Sequence, residues 1–370
     1  MVRSIPYQEI SDCYLPKSIV KRRQLLKQLL QTPGGLVAAS LLPGCQLLAQ
    51  QVNPLFLLDL LQPESLLPEH IITPLSEFYV QSYALPPSVN LESWRLKLTG
   101  AVAQPLTLTF EDILAAPQQD FYLTMECIGN PAGGNLIGNA QWTGTPLMPF
   151  LKQVGVQPEA TEFILHGADS YETTLPVAEV MRPEVQLVHK MNGAPLNQAH
   201  GHPLRILIPG HFGQKQPKWL IGIEALTSRK RGLWERQGWS NTAEIPTHAL
   251  VRQIQEKRVW NRHYRVSYSQ NGETGWDKGI LVAGVALDKS SPIQAIQVSV
   301  NGGQTWETAQ KNSPESPHEW TLWRYRWTPQ AAGTYTLLAR AVSQREQQQL
   351  EDGNRKDGSS GVLRIQVTLH

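Results

Sequence analysis

The sequence predicts an α+β domain followed by an all-β sandwich of immunoglobulin-like type, and three observations predict it. A chain of 370 residues exceeds what one ordinary hydrophobic core organises, so about two domains are expected. From about residue 70 to Leu226, short strand-like and helix-like runs alternate irregularly, with no strand opening through a Gly-rich phosphate loop into a long helix; this argues against a doubly wound nucleotide fold. After a polar, Trp-bearing connector from Arg229 to about Pro246, the apolar period becomes two. The expected organisation is therefore residues 1–50 as an export signal or anchor, 51–245 as the α+β domain and 246–370 as the sandwich.

The leader carries Lys21-Arg22-Arg23-Gln24-Leu25-Leu26-Lys27 ahead of a moderately apolar run, Gln28 to Leu42, broken by Pro33-Gly34-Gly35. A basic pair before a short, weakly hydrophobic segment has the form of a twin-arginine export signal, used by proteins that fold around a cofactor before crossing a membrane. The competing reading is an amphipathic anchor or an ordinary basic helix. The run falls short of the ~20 apolar residues a spanning helix needs. Leu42-Pro43-Gly44-Cys45 also resembles a lipoprotein cleavage box, although proline before the glycine is atypical. An exported, periplasmic or membrane-attached location is expected.

Residues 54 to about 74 are Leu- and Pro-rich and read as a loose wrap. Trp94 to Leu98 and the alternation around Leu106-Thr107-Leu108-Thr109-Phe110 read as strands, and Glu111 to Ala116, stopped by Pro117, as a short helix. In the last third, Ile296, Val298 and Val300 alternate with polar residues before an Asn301-Gly302-Gly303 turn. Tyr335, Leu337, Ala339 and Ala341 alternate again, as do Leu363, Ile365, Val367 and Leu369. Such turn-separated strands, in a chain with eleven tryptophans, fit a β-sandwich whose aromatics are core.

Net charge is only +2, with no Lys/Arg stripe interleaved with aromatics, so nucleic-acid binding is excluded. The three cysteines are Cys13 and Cys45 in the leader and Cys127 alone in the body. A lone thiol in an oxidising compartment is either buried and inert or occupied as a ligand.

Cys127 stands in the densest unusual stretch, Met125-Glu126-Cys127-Ile128-Gly129-Asn130-Pro131-Ala132-Gly133-Gly134, continuing through Gly138-Asn139-Ala140-Gln141-Trp142-Thr143-Gly144. Glycines let backbone N–H groups approach a bulky or anionic ligand, and a thiolate at that mouth can bind a soft or high-valent metal. Spacing alone does not name the metal, and a buried small residue beside a loop is the plain alternative. The body has no second cysteine, and no Cys-x-x-Cys, for zinc or iron–sulfur ligation by the usual patterns. His200, His202 and His211 suggest a zinc cluster only by a bare His-x-His, commoner as structural histidines, and a zinc hydrolase would need a ligand triad that the pattern does not assemble.

This stretch resembles the cofactor loop of the sulfite oxidase and assimilatory nitrate reductase family. The similarity continues through Asp169-Ser170-Tyr171, Met191-Asn192-Gly193, His200-Gly201-His202-Pro203-Leu204-Arg205, Pro209-Gly210-His211-Phe212-Gly213 and Pro217-Lys218-Trp219, then Asn301-Gly302-Gly303-Gln304-Thr305-Trp306 and Trp320 to Trp327. It covers about residues 70 to 369. The resemblance implies a molybdopterin-binding domain of sulfite oxidase type, a molybdenum-pyranopterin cofactor and oxidoreductase activity by two-electron oxygen-atom transfer. It implies Cys127 as the metal ligand and Tyr171 as the active-site tyrosine, with His200, Arg205 and Lys218 holding the pterin and its phosphate. Arginine offers a bidentate fork and lysine a point charge for such an anion.

Two departures qualify this. Sulfite oxidases place a substrate-binding arginine soon after the cysteine motif, where Pro131 and Ala132 stand here; an arginine introduced at Ala132 is expected to improve sulfite binding. The family's Arg-Asn-His cofactor contact reads Gln81-Ser82-Tyr83, leaving Tyr83 as the cofactor-binding candidate. Arg182, Arg205 and Arg324 remain as cations for an anionic substrate. The reading is thus an enzyme acting on a small sulfur-containing substrate, sulfite-like or sulfoxide-like. With no haem domain expected, a separate electron carrier is implied, a cytochrome or a quinone-linked membrane subunit; in relatives the second domain supports a homodimer. The alternative is an exported, cofactor-free binding module that kept the fold.

Overall fold

The computed structural model describes residues 70–259, 264–272 and 275–370, all within one unit, residues 54–370. The expected export or anchor segment, with Cys13 and Cys45, lies outside them. Among the described residues, no helix is long and apolar enough to cross a membrane.

The first half is mostly β, with helices of one or two turns. Its elements are β1 (Leu96–Gly100), β2 (Leu106–Leu108), α1 (Phe110–Ala115), β3 (Gln119–Glu126), β4 (Ile137–Pro146), α2 (Met148–Val154), β5 (Glu162–Gly167), β6 (Glu172–Pro176), α3 (Val177–Val180), β7 (Gln186–Met191), β8 (Ala194–Pro195), β9 (Arg205–Leu207), β10 (Leu220–Leu226) and α4 (Leu233–Arg236). Helix α1 starts at Phe110, one residue before the expected Glu111 and inside the run read as strand, because Thr109 and Asp112 form a reciprocal capping box, and it buries Ile113. Helix α2 ends at Gly155, whose φ of 64° suits a residue without Cβ.

Two sheets organise this half. One has the order β2-β1-β10-β5-β6, with β1 and β10 parallel; in the other, β3-β4-β7-β8 run in order and β9 joins β7. β3 and β4 pair from Gln119↔Gly144 to Glu126↔Ile137. Residues 127–136 are therefore the loop of a long hairpin, closed by the Cys127 N–H donating to the Leu136 carbonyl at 2.9 Å. The second half of β3 is buried on both faces: Leu123 and Met125 pack with Phe78 and Trp142, while Thr124 and Glu126 reach the second half of the chain.

That second half holds β11 (His248–Ile254), β12 (Lys257–Arg258), β13 (Tyr264–Tyr268), β14 (Ile280–Leu287), β15 (Ile293–Ser299), β16 (Glu307–Thr308), β17 (Gln310–Lys311), β18 (Thr321–Trp327), β19 (Gly333–Ser343) and β20 (Ile365–Leu369). Two five-stranded sheets, β12-β11-β14-β18-β17 and β13-β20-β19-β15-β16, share one apolar core. Ile296, Val298, Leu337, Ala339, Ala341, Ile365, Val367 and Leu369 meet Val251, Val282, Trp323 and Trp327 there. The alternation read from the sequence is thus the inward face of the second sheet.

The halves join beneath the Cys127 loop. Ile128, Ile137 and Phe212 pack with Leu250, Val285 and Leu322. Glu126 Oε2 and His248 Nε2 form a buried ion pair at 2.9 Å, the Ala132 N–H donates to Ser359 Oγ at 3.1 Å, and Arg252 donates to the Gly134 carbonyl.

Candidate active site

Strand and helix ends from distant parts of the chain converge on one cavity of about 230 Å³. Cys127 enters from the end of β3, Tyr171 from the turn between β5 and β6, His200 from a single turn at Gln198–His200, Arg205 from β9, and Lys218 from just before β10. Tyr83 lies in the segment preceding β1. All six line this cavity, although 135 residues separate Tyr83 from Lys218.

One wall is cationic. Arg205 is 4% exposed, and its guanidinium donates to the His200 carbonyl at 3.2 Å and the Gln216 carbonyl at 3.4 Å. Its Nε has no partner. The group sits 5.4 Å from the centre of the Trp142 ring. Lys218 Nζ donates to Ser82 Oγ at 2.7 Å and the Ala199 carbonyl at 2.8 Å. Burial, helped by the adjacent Arg205 charge and opposed by Asp169, lowers the Lys218 pKa to about 7. Burial and the same two cations hold His200 neutral, with a pKa of about 4. Buried cations with only neutral hydrogen-bond partners call for an anion. The phosphate of a pterin fits that need.

The thiol of Cys127 lines the same cavity. Burial raises the Cys127 pKa, against a hydrogen bond from the Gly129 backbone; a metal at this position would take the thiolate. Gly129 borders both Cys127 Sγ and the Trp239 ring: a Cβ there would lie 3.7 Å from the sulfur and 3.9 Å from the ring edge. The Tyr171 hydroxyl donates to the Gln214 carbonyl at 2.6 Å. Burial, reinforced by the Glu235 and Asp169 charges, keeps the phenol protonated far above neutrality. Gln214 Nε2 donates to the Ser240 carbonyl at 3.0 Å, while its Oε1 is buried without a partner. Together with Arg205 Nε this makes two unsatisfied polar atoms among the lining residues, as a removed ligand would leave.

Several expectations need correction. Arg182 and Arg324 do not line the cavity: Arg182 pairs with Glu179 at 3.5 Å and Arg324 donates to Gln310 Oε1 at 3.0 Å. Pro131 and Ala132 are not lining residues either; Ala132 is 6% exposed beneath Ser359, so an arginine there meets packed protein. The three histidines of the zinc idea go separate ways. His202 Nδ1 lies 3.2 Å from the Leu196 carbonyl and His211 Nε2 3.0 Å from Glu179, and the described residues hold no cluster of three metal-binding side chains. The connector from Arg229 to Pro246 is cavity wall: its Trp234 and Trp239 line the site, at 6.2 Å from each other, with Tyr83 6.2 Å from Trp234. Tyr79, Asp169 and Gln214 also line it and were missed. Two tryptophans in an otherwise polar connector were the available signal.

Comparison with known proteins gives this cavity its context. Residues 83–234 match the model of the oxidoreductase molybdopterin binding domain. The chain is 27% identical to rat mitochondrial sulfite oxidase over 316 residues, covering 76% of this chain and 57% of that protein. It is 32% identical to the uncharacterized oxidoreductase YuiH of Bacillus subtilis over 150 residues, covering 40% of this chain and 74% of YuiH. Among solved structures, the sulfane dehydrogenase SoxCD of Paracoccus pantotrophus shares the fold, with a TM-score of 0.63 at 22% identity over 82% of each chain. The chain spans 55–57% of the length of the rat, fly and human sulfite oxidases it matches. With a thiol and two buried cations lining one cavity inside a domain of this kind, the chain belongs to the sulfite oxidase-like family of molybdopterin oxidoreductases, whose cofactor is molybdopterin.

Proposed function

We propose that the protein transfers an oxygen atom, with two electrons, to or from a small sulfur-containing substrate. The observation that carries this reading is the convergence of Cys127 and Tyr171 with the buried cations Arg205 and Lys218 on one cavity. Arg205 and Lys218 hold the phosphate of the pterin, Cys127 ligates molybdenum, and the bound group supplies the two-electron couple and the oxygen-accepting centre. Tyr171, protonated at every physiological pH, offers a hydrogen-bond donor and a proton at its Oη.

A neutral, sulfoxide-like substrate suits this cavity better than sulfite. The cationic lining residues are Arg205 and Lys218, both committed to the phosphate, and His200 is neutral. Beside Tyr171 stands the Asp169 carboxyl, and Trp239 borders the glycine next to Cys127. A dianion there lacks a charge-assisted partner. In this reading the protein is exported through the basic pair Arg22-Arg23, and electrons pass to or from a separate cytochrome or quinone-linked subunit. The second half is an immunoglobulin-like domain through which two copies associate.

Metal analysis of protein made in a molybdenum-competent host tests the proposal. About one molybdenum per chain with released pterin, lost on Cys127→Ser with the fold intact, is the expected result. Protein without molybdenum or pterin would make the chain a binding module instead.

A further inference from the structure

Three aromatic rings of the cavity wall have no role in the site as described. Tyr83, Trp234 and Trp239 line the cavity. The Tyr83 and Trp234 ring centroids stand 6.2 Å apart at 89°, and those of Trp234 and Trp239 6.2 Å apart at 69°. Rings so inclined make a corner rather than one flat stacking face. The corner has an inner and an outer end. Trp239 borders Gly129, as does Cys127 Sγ, whereas Tyr83 is 50% exposed and both tryptophans are half-buried.

The main chain holds the corner in place. The Trp239 N–H donates to the Trp234 carbonyl at 3.1 Å, the Gly238 N–H to the Glu235 carbonyl at 3.1 Å and the Ser240 N–H to the Lys356 carbonyl at 3.0 Å. Glu235, 2% exposed, anchors α4 by accepting from Thr173 Oγ1 at 2.6 Å. The rings are therefore arranged before anything binds, which lowers the entropic cost of filling the space between them. Other large aromatics of the lining are engaged elsewhere: Phe78 meets Trp142 and His200 edge to face, and Trp219 Nε1 donates to the Gln198 carbonyl at 2.8 Å. An open apolar corner beside the reacting centre marks the place of an apolar group of the substrate. Charge disfavours a cationic group, which aromatic corners also accept. Lys356 Nζ donates to the Gln237 carbonyl at 2.8 Å, in the turn that joins the two tryptophans, and Lys218 holds Ser82, the neighbour of Tyr83. Asp169 is the one carboxylate among the lining residues.

We propose, on the oxygen-transfer reading above, that Tyr83, Trp234 and Trp239 form a substrate subsite selecting organic sulfoxides that carry an aromatic group on sulfur, of the aryl methyl sulfoxide class. The S–O group lies toward Cys127 and Tyr171. The aryl ring fills the corner from Trp239 outward, and a longer substituent continues past Tyr83 into water. In the reducing direction R–S(=O)–CH3, two electrons and two protons give R–S–CH3 and water, the electrons coming from a one-electron carrier protein. The S–O bond breaks and the sulfur keeps both carbon substituents. The product thioether and its ring remain compatible with the corner, since sulfur packs well against aromatic edges. The three residues set specificity by contact with the part of the substrate that does not react.

The test uses the full-length, molybdenum-loaded protein. Calorimetry measures the binding of methyl phenyl sulfone and dimethyl sulfone, which copy the shape of the sulfoxides without being reduced, and a reduced viologen drives turnover of the two sulfoxides. The parent is expected to bind the phenyl sulfone about 100-fold more tightly, and to favour methyl phenyl sulfoxide by a similar factor in kcat/KM, as burial of a phenyl ring provides. In Trp234→Ala at parental molybdenum content both preferences fall about tenfold, and Trp234→Phe restores most of the loss. Should Trp234→Ala impair folding, Tyr83→Ala makes the same comparison from a half-exposed position. Equal affinity of the loaded parent for the two sulfones, or tighter binding of a sulfone bearing a para-trimethylammonium group than of the plain phenyl one, overturns the aryl subsite. A phenyl preference in sulfone binding without turnover of either sulfoxide leaves the subsite standing and overturns the sulfoxide reading beneath it.

Discussion

At the scale of single residues, Lys218 is the group whose charge depends most on what the cavity contains. With a pKa of about 7 set by burial and by Arg205, it changes charge across neutrality when no anion is bound. Sulfate stays dianionic throughout this range. Its binding to the cofactor-free protein is expected to weaken about tenfold between pH 6 and pH 8, following the protonated fraction of Lys218. Lys218→Met should bind weakly at both pH values, and calorimetric titration distinguishes the two; an unchanged affinity across the range would place the anion elsewhere. Cys127, His200, Arg205 and Lys218 were expected in one site because the motifs that hold them resemble those of the sulfite oxidase family, and all four line the cavity. Trp234, Trp239 and Tyr79 were not, since each reaches the cavity only through contacts with residues distant in sequence.

At the scale of elements, the hairpin β3–β4 and the strand β14 decide most. The β3–β4 register fixes residues 127–136 as one closed loop, and Asn130 ties it by donating to Glu126 Oε1 at 2.8 Å and accepting from the Leu136 N–H at 3.0 Å. β14 is buried along its whole length between β11 and β18, so its sequence shows no alternation. Gly284 at its centre has no room for a side chain: a Cβ would stand 1.9 Å from the Leu250 carbonyl oxygen and 2.7 Å from the Trp323 ring. Gly284→Ala is expected to destabilise the protein by at least about 1–3 kcal/mol through overpacking, read as a lowered urea midpoint. Strands β15, β19 and β20, each with one face inward, were legible because burial on one face imposes a period of two.

At the scale of the molecule, buried histidines govern behaviour in acid. Burial first, then neighbouring cations, holds His200 and His318 at about 4, and burial lowers His189 and His211 as well. Unfolding returns them to about 6.5, so the unfolded chain binds more protons between pH 6.5 and pH 4. Their contribution is fully present above that window and is lost as pH falls through it. His248 opposes the trend: although burial disfavours its charge, Glu126 raises its pKa, giving stability that is present below 6.5 and lost as pH rises through the folded value. Four against one, the cofactor-free protein should lose unfolding free energy below pH 6.5, by about 1.4 kcal/mol per pH unit for each fully responding histidine. Urea unfolding at stepped pH measures this, and a constant midpoint from pH 7 to pH 5 would contradict it.

The sequence by itself determined the strand periodicity of the second half, the short helix before Pro117 and the chemical identity of the thiol and the cations. These depend on neighbours within a few residues, or on which face of a strand is wet. Only the tertiary structure decided which cations serve the cavity, that Arg182 and Arg324 do not, that Ala132 is sealed beneath Ser359, and that a polar connector supplies two tryptophans to the wall. Burial and partnership between residues far apart in the chain are properties of packing, and no local pattern encodes them.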